Sequence, residues 1–172
     1  ATSGGGVYNS YGTMTMRGTL LGANTSANGG PDLYCNSSIA TQGNNLIGDT
    51  TACPGYYYAP APSDVVNVNP GVGAPVAMAG TRVVPLVYSS RALDAGGATC
   101  PALDQRNQIR PADGNGDGTA TCDIGAYESQ GLGELSLAGI VYADTNLSGA
   151  RDTDVEPGVL GVTITLLDLG SG

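Results

Sequence analysis

Asp104 to Glu128 reads DQRNQIRPADGNGDGTATCDIGAYE, and this stretch decides how the rest of the chain divides. It packs two arginines, a proline stop, an acidic glycine-rich loop, a cysteine and a short strand-like ending into one segment. Nothing upstream carries the sustained 3.6-residue apolar rhythm of a helix, and after Glu128 the composition changes. The stretch is therefore read as a closure, ending one architecture and handing the chain to another.

Working back from it, the upstream chain is a series of short β-like runs. They are Val7–Tyr8, Thr13–Arg17, Thr19–Leu21, Asp32–Tyr34, Asn45–Ile47, Val65–Val68 and Val83–Val87. Gly, Asn, Ser or Pro bounds each run, the pattern of many short strands joined by turns. Thr13–Arg17 alternates, which puts Met14 and Met16 on one face. The spacing is irregular but accommodates coils of roughly 20 residues, inside the period range of solenoids. The 28 glycines and 10 prolines are about a fifth of the 172 residues, against about 12% in average usage, so turns are dense. With 41% hydrophobic residues the chain is too apolar to be disordered. Phe and Trp are absent, so a core of Val, Ile, Leu, Ala and Met in thin layers is expected.

Lysine and histidine are missing, and six arginines face 15 acidic residues for a formal net charge of −9. The pI of about 4.1 excludes a nucleic-acid partner, whose phosphates require a basic surface. It suits cation binding and solubility outside the cell. No apolar run is long enough to span a bilayer and no signal peptide is present, so the sequence reads as a mature or excised piece. Cysteines stand at Cys35, Cys53, Cys100 and Cys122. With no CxxC pair and no histidine to complete a zinc shell, they read as disulfides. Cys35–Cys53 with Cys100–Cys122 is the preferred one of three connectivities, because both segments look locally closed. Oxidised pairs imply a secreted or surface compartment.

The pieces GGGVYN (Gly4–Asn9), GTMTMRGTLLGANTS, GPDLYC (Gly30–Cys35) and GNNLIGD (Gly43–Asp49) look like the closing coils of a secreted right-handed parallel β-helix. SSRALDAG (Ser89–Gly96), CPALDQRNQIRP (Cys100–Pro111) and CDIGAYE (Cys122–Glu128) resemble the end signature of the choice-of-anchor Q proteins. Those are bacterial surface or secreted β-helices related to the polymorphic outer-membrane repeat type. The resemblance spans residues 4–128, with Tyr56–Thr81 departing from it. It implies coils of short parallel strands whose inward residues stack on their equivalents. Asn44 or Asn45 would then sit at a turn, in left-handed backbone or in an amide ladder.

From Leu135 the register changes, and SLAGIVYADTNLSGARDTDVEPGVLGVTITLLDL (Ser136–Leu169) resembles the first two strands of the B-type, Cna-B-like domains of serine–aspartate-repeat adhesins. Leu137–Tyr142 would be the first strand and Val159–Leu169 the second. In the second, Val162, Ile164 and Leu166 alternate with Thr163, Thr165 and Leu167. An immunoglobulin-type sandwich needs about seven strands, so this part covers about a third of one. The expected fold class is all-β: terminal coils of a parallel β-helix over 1–130, a linker at 131–136, and partial immunoglobulin-like strands over 137–172.

Two loops carry oxygen-bearing residues at alternate positions, as a calcium loop requires. One offers Asp144, Asn146, Ser148, the carbonyl of Ala150 and Asp152. Its closing acid, Glu156, falls one residue later than the EF-hand spacing asks. The other offers Asp113, Asn115 and Asp117, with no closing Glu; a solvated Gly/Asp turn accounts for it equally. Asp94, Asp104, Arg106, Arg110 and Asp123 invite an enzymatic reading, since glycosidases work with paired carboxylates. Four of the five lie inside Asp104–Glu128, where structural Arg–carboxylate pairs are the preferred account. No catalytic residue is assigned.

The expected function is a non-enzymatic structural or adhesive module of the bacterial exterior. It would extend into a filament by β-strand complementation or end-to-end stacking. A fragment of a β-helix polysaccharide lyase or hydrolase and a calcium-dependent surface binding module are the alternatives. The implied partners are further copies of the chain, neighbouring domains of the same surface protein, and a carbohydrate or host surface.

Overall fold

The fold was analysed in a computed structural model. It describes residues 3–78, 80–131, 141–148, 151, 156 and 158–159. Among these the protein is all-β, with short strands and no α-helix. The chain forms two compact units, Ala1–Leu135 and Ser136–Gly172.

The first unit opens with β1 (Val7–Asn9), β2 (Met14–Met16) and β3 (Leu20–Leu21), then repeats the sequence of elements as β4 (Leu33–Cys35), β5 (Ile39–Thr41) and β6 (Leu46–Ile47). Each strand lies parallel to its equivalent in the repeat. Val7 stands beside Leu33, Met14 beside Ile39 and Leu20 beside Leu46, an advance of about 25 residues per turn. A shorter third turn adds β7 (Val65–Val66), parallel to β6. It also meets the other two sheets, through a parallel bridge from Ala52 to Tyr34 and a bond from Ile39 N to the Tyr57 carbonyl. Three small parallel sheets result, and among the described residues β1, β2 and β3 each pair with one other strand.

These residues make short strands because each run is brief, aliphatic and stopped by a corner. Leu20-Leu21 and Leu46-Ile47 are each followed by glycine. The corners explain why. A Cβ on Gly22 would stand 2.5 Å from Pro70 Cγ, and one on Gly48 would overlap the Asp32 carboxylate. Both backbones pass too close to a neighbour for a side chain.

Because successive strand residues face opposite ways, the β3–β6–β7 sheet feeds two cores. Leu21, Ile47 and Val66 join Met16, Leu33, Ile39 and Tyr58 in the first. Leu20, Leu46 and Val65 face outward and pack under Leu86, Ala92 and Ile124 in the second. Met14 and Met16 both reach the first core, matching the alternation of their run.

The chain after β7 does not add a fourth turn. It makes an antiparallel hairpin, β8 (Val76–Met78) and β9 (Thr81–Val83). It then runs as a flank along the outer face of β3–β6–β7. Asn44 Nδ2 donates to the Ala95 carbonyl (2.9 Å), and Gly125 N donates to the Gly18 carbonyl (3.0 Å). The closing stretch thus lies beside the coils as a buttress. Two disulfides secure the unit: Cys35–Cys53 links the second turn to the third, and Cys100–Cys122 closes the flank on itself.

In the second unit the described residues show an antiparallel bridge between Tyr142 and Gly158, with Val159 N donating to the Val141 carbonyl. Most of Leu137–Tyr142, most of Val159–Leu169, and the 131–136 linker beyond Gly131 lie outside the described residues.

Candidate functional site

The charged residues of Asp104–Glu128 form a buried lattice inside the flank. Asp104 Oδ1 accepts from the backbone N–H of Arg106 (2.6 Å) and Gln108 (3.0 Å). Its Oδ2 accepts from Arg106 Nε (2.8 Å) and Glu128 N (3.1 Å). The Arg106 guanidinium also donates to the Glu128 carbonyl and lies over the Tyr127 ring, 3.7 Å from its centroid. Arg110 takes Glu128 as its ion partner, Nε to Oε2 at 2.7 Å. It donates further to the carbonyls of Gly125 (3.1 Å) and Asp123 (2.6 Å). Glu128 completes its shell with the N–H of Ala112 (2.8 Å) and Asp123 (2.9 Å). Among the described residues, no buried side-chain nitrogen or oxygen lacks a hydrogen-bond partner.

Asp123 and Asp94 extend the lattice towards the coils. Asp123 accepts from Asp94 N (2.8 Å) and Ser129 N (2.6 Å). Asp94 in turn accepts from Gly114 N (3.2 Å) and Asn115 N (2.8 Å). Burial pushes the Asp123 carboxyl up to about 6, and the nearby charges of Glu128 and Asp94 add to the effect against two backbone donors. For Asp104, burial is the largest influence and raises it. The amides of Gln108 and Glu128 and the Arg106 side chain outweigh that, so the carboxyl is held below its ordinary range. One carboxyl pushed up beside one pushed down is a signature of acid–base pairs. Here, however, each carboxylate oxygen already accepts a backbone amide, so both serve as ties between loops.

A second polar knot joins the turns themselves. Asn45, buried, accepts from Thr19 N (3.0 Å) in the turn before and donates to Asp64 Oδ1 (2.9 Å) in the turn after. Asp64 also receives Tyr58 Oη (3.0 Å) and Thr41 Oγ1 (2.7 Å). Burial raises Asp64, but these hydrogen bonds prevail and hold it low. Burial and the Asp64 charge push the Tyr58 phenol up. Asn44 adopts left-handed backbone (φ 55°). Asn44 therefore makes the corner, while Asn45 ties successive turns through Thr19 and Asp64 and forms no amide ladder among the described residues.

In the Asp113 loop, Asp113 Oδ1 accepts from Gly116 N (2.7 Å) and Asp117 N (3.1 Å), and Oδ2 from Gly118 N (2.8 Å). Asn115 Oδ1 accepts from Asp117 N (2.8 Å). In the other loop, Ser148 N donates to both Asp144 Oδ1 and Asn146 Oδ1 at 3.0 Å. Glu156 is fully buried and folds back so that its Oε1 accepts from Thr145 N (3.0 Å). Ala150 and Asp152 lie outside the described residues. Among those described, no group of three His, Cys, Asp or Glu residues is gathered to hold a metal. The oxygens of Asp113 point into their own loop amides, so this arrangement is a self-closed Asx turn.

A cleft of about 1190 Å³ opens in the first unit, lined by Gly18 to Gly22 around β3. Val84, Leu86, Leu103 and Tyr127 line it from the flank, with Arg17 and Arg82. The sequence assigned none of these residues to a site. Their assembly depends on the flank folding back, which no local pattern reports. Against known proteins, the chain matches no family model, no curated protein and no solved structure.

Proposed function

We propose that the protein is a non-enzymatic structural or adhesive module of the bacterial exterior. In this reading residues 4–128 are the terminal coils of a right-handed parallel β-helix of the choice-of-anchor Q type. Residues 135–169 begin a Cna-B-like segment. The carrying observation is the register itself: three parallel sheets in which each turn of chain lies beside the next. Two disulfides support an oxidising compartment, outside the cytoplasm. Among the described residues no helix is long and apolar enough to cross a membrane. The engagement of Asp104, Asp123 and Glu128 by backbone amides favours support over chemistry.

Two measurements test the reading. Cysteines placed at Thr15 and Ala40, exposed neighbours on β2 and β5, should cross-link on mild oxidation, as peptide mapping would detect. Failure to cross-link in folded protein removes the stacked coils. Incubation with acidic polysaccharides should release no reducing ends or unsaturated products. Turnover lost on Asp123→Asn would instead establish the lyase or hydrolase alternative.

A further inference from the structure

The register of the turns brings most of the tyrosines to one place. The corner after β1 reads VYNSYGT over residues 7–13, the equivalent corner of the second turn LYCNSSI over 33–39, and that of the third ACPGYYY over 52–58. Tyr8 stands beside Tyr34, which bridges to Ala52. Further round the corner, Asn36 N donates to the Asn9 carbonyl (2.8 Å) and Ile39 N to the Tyr57 carbonyl (2.7 Å). The three corners are therefore stacked in register, and with them five of the chain's nine tyrosines: Tyr8, Tyr11, Tyr34, Tyr56 and Tyr57. Tyr11 is 92% exposed, Tyr56 77% and Tyr8 49%. Tyr8 and Tyr34 pair with ring centroids 5.1 Å apart, and Tyr56 and Tyr57 at 4.5 Å.

We infer that this corner binds an uncharged polysaccharide, whose sugar rings lie across the tyrosines. The inference rests on the adhesive reading above and supplies its ligand class. Pyranose rings carry apolar C–H faces edged with hydroxyls, and tyrosine rings set among amides and hydroxyls match both. Asn36, exposed, donates from Nδ2 to Tyr8 Oη (3.2 Å), so a polar group already stands beside the rings. No large aliphatic side chain is exposed here, since Val7 is half-buried and Leu33 and Ile39 are buried. A protein-docking patch would need an apolar centre. The formal net charge of the chain is −9, yet the three segments hold no Asp, Glu or Arg. Without arginine the corner offers an acidic polymer nothing to pair with, and without carboxylates it offers a cationic one nothing.

The frame under the rings is tied. Asn9, buried, donates from Nδ2 to the carbonyls of Ser37 (3.2 Å) and Ser38 (2.9 Å), and Ser37 Oγ donates to the Gly12 carbonyl (2.7 Å). These bonds join the first corner to the second, and Cys35–Cys53 joins the second to the third directly after Tyr34 and Ala52. Little ordering remains to be done on binding, which is how a shallow surface gains affinity. One corner recurs per turn, at about the 4.8 Å spacing of paired strands, so the row suits a repeating polymer. Tyr8 and Tyr34 hold the outward positions of their strands, while Val7, Leu33 and Cys35 face the first core. A further turn stacked on the coil would lengthen this row and leave its outward face open.

The test is affinity electrophoresis of the full chain in native gels. The neutral gels contain a β-glucan, a galactomannan or an α-glucan, and the acidic ones polygalacturonate or alginate. Retardation by at least one neutral polymer is expected, and none by the acidic pair. Tyr11→Ala and Tyr56→Ala should each weaken binding about tenfold, the scale of one aromatic contact, with melting curves unchanged because both rings are exposed. Tyr56→Phe should keep it, since the stacking face survives. Free migration through every neutral gel, stronger retardation by the acidic polymers, or binding that survives both alanine variants overturns the proposal. So does a dimer in sedimentation velocity that dissolves on Tyr11→Ala, which would make the corner a contact between copies. The two claims separate cleanly: Thr15→Cys/Ala40→Cys protein that cross-links yet migrates freely has the stacked coils and no polysaccharide site.

Discussion

Asp123 and Asp104 sit in one lattice and are pushed in opposite directions, and the signs of those shifts set the pH behaviour. Asp123 titrates at about 6 in the fold against an ordinary 3.8. Across that window the folded state holds a proton that the unfolded chain has released. Its contribution to stability therefore falls as pH rises from about 4 to about 6. Asp104 and Asp64 are held low, so their contribution is present above the ordinary carboxylate range and lost as pH falls below about 4. The melting temperature should accordingly peak near pH 4 and decline towards pH 6. Asp123→Asn should flatten the decline on the alkaline side of that peak and leave the acid limb intact. It should also cost about 1–2 kcal/mol throughout, since an amide cannot accept from both Asp94 and Ser129. Calorimetry across pH 3–8 reads all three effects, and an unchanged slope in the variant would refute the assignment. Glu128→Ala is the harsher change, because it leaves Arg110 buried without its ion partner. A loss of about 3–5 kcal/mol in urea unfolding is expected.

The elements were legible where aliphatic pairs meet glycine or asparagine. β1, β2, β3, β4, β6 and β7 all fall within or across the apolar runs visible in the sequence. β5 escaped because Ile39-Ala40-Thr41 has one large aliphatic and is made a strand by Met14–Met16, about 25 residues away. The hairpin β8–β9 escaped for a related reason: Val83–Val87 reads as a strand, but Pro85 interrupts it and the pairing falls on Thr81–Val83. The candidate site followed the same rule. Arg106, Arg110, Asp104 and Asp123 advertise themselves by charge, whereas Glu128, Asn45 and Asp64 matter through partners that only the fold brings near. The two disulfides, expected from local closure, separate in their predicted cost. Each closes a loop of similar length, with sequence separations of 18 and 22, worth about 3 kcal/mol in chain entropy. Cys35 and Cys53 are also both buried in the first core, whereas Cys100 is only half-buried. Replacing Cys35 and Cys53 together by alanine should therefore destabilise more than replacing Cys100 and Cys122, by about 1 kcal/mol of lost packing. Equal midpoints in denaturant would show that the first core does not depend on that bridge. Gly48→Val tests the corner directly, since its side chain would meet the Asp32 carboxylate. A loss of about 1–3 kcal/mol is expected, as for other overpacked sites.

At the scale of the molecule, the first unit holds a full set of stabilising features of its own. Both cores, both disulfides, the Arg110–Glu128 and Arg106–Asp104 pairs and the Asn45 knot fall between Val7 and Gly131. The second unit, by contrast, spans only Ser136–Gly172, and below about 40 residues a chain seldom buries enough surface to fold alone. Stability should therefore be carried by the first unit. A chain ending after Gly131 is expected to melt within about 1 °C of the full chain, inside the shift of about 2–4 °C that 1 kcal/mol produces in a domain of roughly 150 residues. The peptide of residues 136–172 is expected to show no cooperative transition by circular dichroism. A drop of more than about 3 °C on truncation would mean that the second unit contributes about 1 kcal/mol to the first. Differential scanning calorimetry of both chains at one protein concentration decides the matter, because concentration dependence would separate assembly from intrinsic stability.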